Sequence, residues 1–284
     1  MTPTQLATAL AATGRISIPY RDKFAPERAL SLECYRPADH TAAAPVVIVQ
    51  HGQSRNGREY CDAWIPVADR VGALIVAITF PKAAWPDAVT YNNGHVLDES
   101  GGVRPREAWS QAIPGRVLTL LREAGVTGRS NGYLWGHSAG GQFVHRLLAT
   151  QPHGLFAAVG AANSGWYTLP TLALPYPDGY GGIGLSRDDM AALLGYPLTL
   201  FAGDRDIDGT SENFPQHESA MTQGAHRFAR AHFFLARGRD EAAKLGVPCN
   251  WQLITVPGIG HQGMRMAAYA AKYWFTPADL WQGF

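Results

Sequence analysis

The sequence predicts an α/β fold: a mostly parallel, doubly wound sheet of about eight strands with helices on both faces. Two observations lead to this prediction. Apolar runs such as Pro45–Gln50 (PVVIVQ) and Ala73–Phe80 (ALIVAITF) are continuous rather than alternating, which is typical of parallel strands buried on both faces. Segments with helical spacing lie between successive runs, and this rhythm indicates crossovers onto one sheet. With 284 residues, 46% of them hydrophobic, the chain is long enough for one domain spanning residues 1–284.

The predicted elements follow one another in a regular order. Leu6–Ala12 is predicted as a short amphipathic helix, and Arg15–Tyr20 and Ala29–Tyr35 alternate as half-buried strands joined by a turn. Later strands are predicted at Pro45–Gln50, Ala73–Phe80, Gly132–Trp135, Leu155–Ala161, Pro197–Ala202 and Trp251–Val256. Helices are predicted at Arg58–Val71, Arg106–Ala124 and Ser138–Thr150, and from about Ala220 to Gly246.

Two segments interrupt this order, and the second, Glu212–Gly246, begins as a polar loop before it becomes helical from about Ala220. Tyr167–Leu185 (YTLPTLALPYPDGYGGIGL) is rich in Pro, Gly and Tyr and has no clean period. A loop of this length within a compact domain is usually a lid or a binding loop. We therefore predict a lid or binding-loop insertion over about residues 167–190.

Composition argues against several classes of protein. The formal net charge is +1 and no Lys/Arg run occurs, whereas a nucleic-acid-binding protein normally has a basic stripe. No stretch approaches the roughly 18 apolar residues of a membrane span. No Lys or Arg precedes Leu6–Ala12, so we expect a cytoplasmic protein, with a processed secreted form as the alternative. We expect a monomer or a homodimer.

The sequence contains no motif for a metal or a cofactor. Cys34, Cys61 and Cys249 are odd in number and widely spaced, which fits neither a metal site nor a disulfide framework. There is also no phosphate-binding loop and no dinucleotide fingerprint. We therefore expect chemistry carried by side chains alone, with no cofactor and no metal.

The strongest motif is GHSAG at residues 136–140, which directly follows a predicted strand and opens a predicted helix. In a G-x-S-x-G turn, the positions two before and two after the serine must be nearly free of side chain. The strain lifts the serine hydroxyl clear of the sheet, and the helix N-terminus favours a developing oxyanion. This context predicts Ser138 as a nucleophile; a purely structural glycine-rich turn is the alternative.

A serine hydroxyl is a weak nucleophile at neutral pH, so it needs a base beside it and a third group that orients the base. With this motif the chain order is serine, then acid, then histidine. His261 follows the last predicted strand in the glycine-rich sequence VPGIGH, which would let the imidazole reach Ser138. His217, His226 and His232 lie in the polar loop and helix after the preceding strand and fit the role less well.

The acid should follow the predicted strand Pro197–Ala202, where three carboxylates occur in the sequence GDRDIDG. The spacing favours Asp206, because a carboxylate three residues after the strand's final glycine turns back over the sheet edge. Asp204 would then cap or hold the turn, and Asp208 would face outward. Both remain alternatives for the third member of the set.

An oxyanion hole needs two amide N–H groups. One comes from the residue after the nucleophile, Ala139. The other should come from the loop after the first buried strand, where Gly52 permits a sharp bend and the Gln53 amide is the natural donor. His51 follows the wrong strand to be the catalytic base and is expected to pack or hydrogen-bond beneath the hole.

These motifs together resemble the α/β-hydrolase superfamily along nearly the whole chain. The HGQSRNG loop, the GHSAGGQF turn, GDRDID and GIGH are similar to the polyhydroxybutyrate-depolymerase and feruloyl-esterase-like branch of bacterial esterases. The resemblance implies that Ser138, Asp206 and His261 form the catalytic triad, with Gln53 and Ala139 as oxyanion donors. Secreted depolymerases of that branch usually carry a signal peptide, disulfides and a polymer-binding domain, none of which is evident here. The resemblance therefore implies ester chemistry rather than a polymer substrate.

The substrate pocket should lie near the open edge of this turn. Trp166 and Tyr167 follow the strand after the nucleophile helix, and Trp85 and Tyr91 come from the loop after Ala73–Phe80. His137, next to the nucleophile, is included in the predicted substrate-binding set. Aromatic rings with a few amides suit a bulky or aromatic ester better than a small polar one. Packing of these rings onto the core is the alternative for each.

The sequence thus predicts a serine carboxylic-ester hydrolase for a small-molecule ester of feruloyl or hydroxyalkanoate type, acting through an acyl-enzyme. A thioesterase or small peptidase with the same triad is one alternative. A non-catalytic ligand-binding protein of the same fold is another, although a binding protein has no need of a complete serine, acid and histidine set.

Overall fold

A twisted eight-stranded sheet forms the centre of the computed structural model, which describes residues 1–276. The strand order is β1-β2-β4-β3-β5-β6-β7-β8. β1 pairs with β2 and β2 with β4 in antiparallel fashion, and every other pairing is parallel. The strands are β1 (Gly14–Arg21), β2 (Ala29–Arg36), β3 (Val46–Gln50), β4 (Leu74–Thr79), β5 (Gly132–His137), β6 (Phe156–Ala162), β7 (Leu198–Gly203) and β8 (Gln252–Val256). The predicted mostly parallel sheet is confirmed.

Helices cover both faces of the sheet. They are α1 (Pro3–Ala9), α2 (Gly57–Asp62), α3 (Ile65–Val71), α4 (Ile113–Glu123), α5 (Ala139–Leu147), α6 (Arg187–Gly195), α7 (Glu218–Met221), α8 (Arg227–Leu245) and α9 (Gly263–Phe275). α2, α3 and α9 contribute apolar side chains to the core on one face, and α1, α4, α5, α6 and α8 to the core on the other.

Strand β3 shows why four consecutive residues of its sequence are apolar. All five of its residues are buried. Val46 and Ile48 belong to the core on one face of the sheet, whereas Val47 and Val49 belong to the core on the other. Because successive side chains of a strand point to opposite faces, a strand covered on both faces favours apolar residues at consecutive positions, as at Val46 to Val49.

Several predicted helices have different bounds in the structure. The helix predicted over Arg58–Val71 is divided into α2 and α3, because Pro66 lacks the N–H that would continue the first helix. The helix predicted from Arg106 begins at Ile113, after two short 3₁₀ turns. The run from about Ala220 is divided around Gly224, which has a φ of 140°.

Two helices were not predicted. α9 follows the loop that carries His261. α6 begins after Ser186, which forms a capping box with Asp189, so its start falls within the predicted insertion over residues 167–190. The capping box is a local signal that could have located this helix.

Candidate active site

The GHSAG sequence forms a sharp strand–turn–helix elbow at the carboxyl end of the sheet. β5 ends at His137, α5 begins at Ala139, and Ser138 between them has φ 57° and ψ −117°. A Cβ atom at Gly136 would collide with the carbonyl oxygen of Gly140, and one at Gly140 would collide with that of Gln50. The two glycines therefore allow the close approach of backbone segments that lifts Ser138 above the sheet.

Ser138, His261 and Asp206 form one hydrogen-bonded chain. The Ser138 Oγ lies 3.0 Å from His261 Nε2, and His261 Nδ1 lies 2.7 Å from Asp206 Oδ2. In this pairing the Nδ1–H donates to the carboxylate and Nε2 is left to accept the serine proton. The structure thus brings together the three side chains predicted as the triad, each from a loop at the carboxyl end of a different strand.

The other two carboxylates of the β7 loop lie elsewhere. Asp204 accepts a hydrogen bond from the Gly258 amide at 2.7 Å, which ties the β7 loop to the β8 loop. Asp208 is exposed and accepts hydrogen bonds from the Thr210 amide and hydroxyl. Neither carboxylate is hydrogen-bonded to His261, so the structure favours Asp206 as the candidate acid.

Asn163, at the end of β6, joins the loops that hold the acid and the histidine. Its Oδ1 accepts from the Gly203 amide at 2.9 Å, and its Nδ2 donates to the Gly260 carbonyl at 2.9 Å. Asn163 has a φ of 44°, a left-handed conformation that asparagine tolerates better than most residues. Sequence reasoning did not single out this residue, and an asparagine directly after a buried strand was the available signal.

Arg227 is a second residue that sequence reasoning missed. Its Nη1 lies 3.4 Å from Asp206 Oδ1, and the side chains of both residues are almost completely buried. Arg227 is the first residue of α8, so its position depends on how that helix packs against β7. The guanidinium gives the buried Asp206 carboxylate a cationic partner in addition to His261.

The loop after β3 carries the predicted oxyanion donor Gln53. Gln53 and Ala139 both border the cavity that contains Ser138. Ala139 is the first residue of α5, so its N–H has no helical carbonyl to bond, and within residues 1–276 no backbone acceptor faces the Gln53 N–H. Both amides are therefore available to a developing oxyanion.

His51 holds this loop in place, as expected. It is fully buried, and its Nε2 accepts a hydrogen bond from the Phe80 amide at 2.9 Å. Its Nδ1–H donates to the Gly52 carbonyl at 2.9 Å, and burial lowers the pKa of the imidazole to about 3. A ring that is neutral near pH 7 and has both nitrogens engaged supports the loop rather than transferring protons.

His137 lies beneath the candidate triad rather than in the open pocket. It is 3% exposed, its ring centroid lies 4.6 Å from that of His261, and its Nδ1 is 2.9 Å from the Tyr60 hydroxyl. Burial lowers the pKa of His137 well below its usual value, so the ring stays neutral. It borders the second of the two cavities described next.

Two cavities meet at Ser138. The first, of about 550 Å³, is bordered by Tyr91, Gln142 and Trp166 in addition to the oxyanion loop. The second, of about 460 Å³, is bordered by His261 and by the first residues of α9. We call the first the amide cavity, after the side-chain amide of Gln142, and the second the histidine cavity, after His261. Ser138 is accessible from both, so a substrate can extend in two directions from the serine.

The aromatic residues of the predicted pocket are divided by the structure. Trp166 and Tyr91 border the amide cavity, although Tyr91 is itself fully buried and its hydroxyl donates to the His51 carbonyl. Trp85 and Tyr167 do not: both are fully buried, with the Trp85 Nε1 donating to the Ala29 carbonyl and the Tyr167 ring stacked on Phe234. Their predicted contact with substrate is therefore corrected, because packing onto the core removes both rings from the cavity.

The Tyr167–Leu185 segment contributes less to the cavity than its composition suggested. Pro177 and Asp178 border the amide cavity, but Tyr176 and Tyr180 are buried. The Tyr176 hydroxyl donates to the Asn93 carbonyl at 2.6 Å. The tyrosines thus attach the segment to the body of the protein instead of facing a ligand.

Two negative findings apply to the part of the chain that the structure describes. Within residues 1–276, no group of three or more His, Cys, Asp or Glu side chains has an arrangement that could bind a metal ion. Among the same residues, no helix is both long enough and apolar enough to cross a membrane.

Comparison with solved structures places this geometry in a known family. The poly(3-hydroxybutyrate) depolymerase LpqC from Bordetella parapertussis is 47% identical and superimposes with a TM-score of 0.93 over 97% of this chain and 94% of that one. The chain belongs to the α/β-hydrolase family. It is a serine hydrolase, since its structure matches an enzyme of this family along almost the entire length.

Two further comparisons show how far the family likeness extends. The poly(aspartic acid) hydrolase-1 from Sphingomonas sp. KT-1 is 36% identical, with a TM-score of 0.87 over 92% of this α/β-hydrolase and 98% of that chain. The S-formylglutathione hydrolase from Agrobacterium tumefaciens is 15% identical, with a TM-score of 0.59 over 93% and 95% of the two chains, and shows the fold alone. Neither the family models nor the curated proteins searched gave a match.

Proposed function

We propose that the protein is a carboxylic-ester hydrolase that acts through Ser138, His261 and Asp206 and a covalent acyl-enzyme. The observation that carries this proposal is the continuous hydrogen-bonded chain from Ser138 Oγ through both ring nitrogens of His261 to Asp206 Oδ2. A serine hydroxyl in this arrangement can transfer its proton to the imidazole as it attacks a carbonyl carbon.

Each step assigns a task to one group. His261 Nε2 accepts the Ser138 proton, and Asp206 stabilises the imidazolium that forms. The Gln53 and Ala139 amides donate to the oxyanion of the tetrahedral intermediate, whose collapse expels the alcohol protonated by His261. Water, activated by the same imidazole, then attacks the acyl-enzyme and releases the acid.

The two cavities indicate where the parts of the ester lie. His261 must protonate the leaving oxygen, so the alcohol belongs in the histidine cavity, which this residue borders. The acyl group then belongs in the amide cavity, bordered by Ala139, Tyr91 and Trp166. The volumes of about 550 and 460 Å³ support an ester that is bulky on both sides of the scissile bond. A hydroxyalkanoate-type ester suits the name of the 47% identical depolymerase, and a feruloyl-type ester suits the aromatic wall.

A peptidase-like amide hydrolase using the same residues is the second candidate. The observation that favours it is the 36% identity to a protein named poly(aspartic acid) hydrolase. The same acyl-enzyme chemistry serves amides, with His261 protonating an amine in place of an alcohol.

Labelling with a fluorophosphonate and mapping the adduct by mass spectrometry test the proposed nucleophile. We expect a single modification at Ser138, and none in Ser138→Ala. A panel of p-nitrophenyl and feruloyl esters, thioesters and short aspartyl peptides then tests the bond that is cleaved. Labelling at another serine would contradict the assignment, and turnover of peptides but not esters would favour the second candidate.

A further inference from the structure

Gln142 borders the amide cavity one helical turn after Ser138 and is not part of the proposed catalytic machinery. Its side chain is held in one orientation by two hydrogen bonds to Oε1. Arg146 Nη1 donates to this oxygen at 3.1 Å, and Asn92 Nδ2 donates to it at 3.0 Å. A guanidinium can only donate, so the atom facing Arg146 must be the amide oxygen. This contact therefore assigns the positions of Oε1 and Nε2 in the Gln142 amide.

The opposite end of the amide, Nε2, must then carry two N–H donors. Within residues 1–276 no acceptor is hydrogen-bonded to Nε2, although Gln142 is only 6% exposed. Nε2 is not among the fully buried side-chain atoms that lack a partner, so this end of the amide reaches the open space of the cavity. The cavity wall thus contains a fixed N–H donor that has no protein acceptor among residues 1–276 and can donate to an acceptor on a bound substrate.

Gly165 leaves the space beside this donor open. A Cβ atom at Gly165 would lie 2.8 Å from Gln142 Nε2 and 3.1 Å from the Pro215 ring. Both Gly165 and Pro215 border the amide cavity, so Nε2 lies at the cavity wall where glycine provides access. Any larger residue at position 165 would cover the amide.

Arg146 makes the Nε2 group of Gln142 a stronger hydrogen-bond donor. Its guanidinium is fully buried, and no described carboxylate lies within ion-pair distance of it. Arg146 donates to Gln142, to the Asn92 carbonyl and to the Thr168 hydroxyl. Hydrogen bonding of a cation to an amide oxygen polarises the amide and makes its N–H groups better donors.

We propose that Gln142 determines acyl-group specificity: its Nε2 donates a hydrogen bond to an oxygen acceptor on the acyl chain of the substrate. This inference rests on the proposed ester-hydrolase function and on the assignment of the acyl group to the amide cavity. It names a substrate class, acyl chains that carry a hydroxyl, ether or second ester oxygen, as opposed to simple alkanoyl chains. A site built to donate a hydrogen bond discriminates against an analogue that lacks the acceptor.

Isosteric ester pairs test the proposal directly. The p-nitrophenyl esters of 3-methoxypropionate and 4-methoxybutyrate differ from valerate and hexanoate by one oxygen in place of one methylene. The ester of 3-hydroxybutyrate is compared with that of 3-methylbutyrate in the same way. Each kcat/KM is divided by the alkaline hydrolysis rate of that ester, which removes differences in intrinsic reactivity. For at least one pair, we expect the wild-type enzyme to favour the oxygen-containing ester about tenfold.

Gln142→Glu is the decisive variant. It keeps the shape of the side chain and an oxygen acceptor for Arg146 but replaces the N–H donors with an acceptor. We expect the preference for the oxygen-containing ester to disappear or reverse. Gly165→Ala, whose Cβ would lie 2.8 Å from Nε2 and so cover or displace this donor, should lower the same ratio. Gln151→Met, remote from both cavities, serves as the control.

The outcomes separate the two proposals. If the wild-type enzyme cleaves none of the esters, the proposed ester hydrolysis is wrong. If it cleaves both members of every pair equally well, or if Gln142→Glu retains the wild-type ratio, ester hydrolysis stands and the role of Gln142 is wrong. A folding defect would lower both esters of a pair together and leave their ratio unchanged.

Discussion

The loops that carry Ser138, Asp206 and His261 and the segment Tyr167–Leu185 lie at the same edge of the sheet but use their side chains in opposite ways. The three loops direct their functional side chains outward, and these side chains meet above the strand ends. The long segment turns its tyrosines into the core and presents only Pro177 and Asp178 to the amide cavity. A long, aromatic-rich loop beside a candidate site is therefore not evidence of a lid by its composition alone.

The largest expected effect comes from removing the proposed nucleophile, Ser138. Ser138→Ala should lower kcat by about 10⁶, because the remaining groups of such a triad act only through the nucleophile. Among residues 1–276 the Ser138 hydroxyl has its one hydrogen bond with His261, so the melting temperature should barely change. Steady-state kinetics with a p-nitrophenyl ester and a thermal melt check both. Residual activity above a few per cent would assign the nucleophile elsewhere.

The next effect distinguishes the three carboxylates of the β7 loop. Asp206→Asn should lower kcat by about 10⁴, because the imidazole then takes the wrong tautomer. Asp208→Asn should retain most of the activity, since within the described residues the hydrogen bonds of the Asp208 carboxylate are to Thr210 and not to His261. Asp204→Asn should act mainly on thermal stability through its bond to Gly258. A severe loss of kcat at Asp208 would transfer the role of the acid to that residue.

The elbow and the loops that carry Asp206 and His261 could be predicted from the sequence. The elbow was predictable because its sterics are local: Gly136 and Gly140 are required by contacts within a few residues and with the adjacent strand. Asp206 and His261 could be assigned because parallel strands deliver their following loops to one edge.

The residues that were missed depend on packing between distant elements. Arg227 reaches Asp206 only because α8 packs against β7, and Asn163 joins two loops that are remote in sequence. The burial of Trp85 and Tyr167 likewise depends on which neighbours the fold supplies. Periodicity does not contain this information, since an aromatic residue after a strand suits either a cavity wall or a core.

Tyr167→Ala tests the structural role of the long segment. Its ring stacks on Phe234 with centroids 4.3 Å apart and is fully buried, so truncation should cost about 3–5 kcal/mol of unfolding free energy. Tyr167→Phe keeps the ring and should be close to neutral. Denaturant unfolding measures the difference. If Tyr167→Ala were stable but changed ester selectivity, the segment would contact substrate as the sequence first suggested.

Arg227→Met should lower kcat/KM by about tenfold to a hundredfold, because Asp206 loses its cationic partner. The effect should act through Asp206, so Arg227→Met should add little to the loss already present in Asp206→Asn. Arg227→Lys, which keeps the charge, should recover part of the activity. If Arg227→Met lowered kcat/KM equally in the wild-type and Asp206→Asn enzymes, Arg227 would support the fold or bind substrate independently of Asp206.

An effect on ester selectivity separates two adjacent residues, Trp166 and Tyr167. Trp166 borders the amide cavity, its ring covered on one side by Arg146 with Cζ 4.7 Å from the centroid and contacted edge-on by His217. A flat ring held in this way can contact a bulky acyl group but extends past a small one. Trp166→Ala should therefore lower the ratio of kcat/KM for a feruloyl ester to that for an acetyl ester, by about 1–3 kcal/mol of transition-state binding. Trp85→Phe, at a fully buried ring outside the cavity, is the matched control and should leave this ratio unchanged. Parallel losses on both esters in Trp166→Ala would mean that the ring holds Arg146 and the cavity wall in place without selecting the substrate.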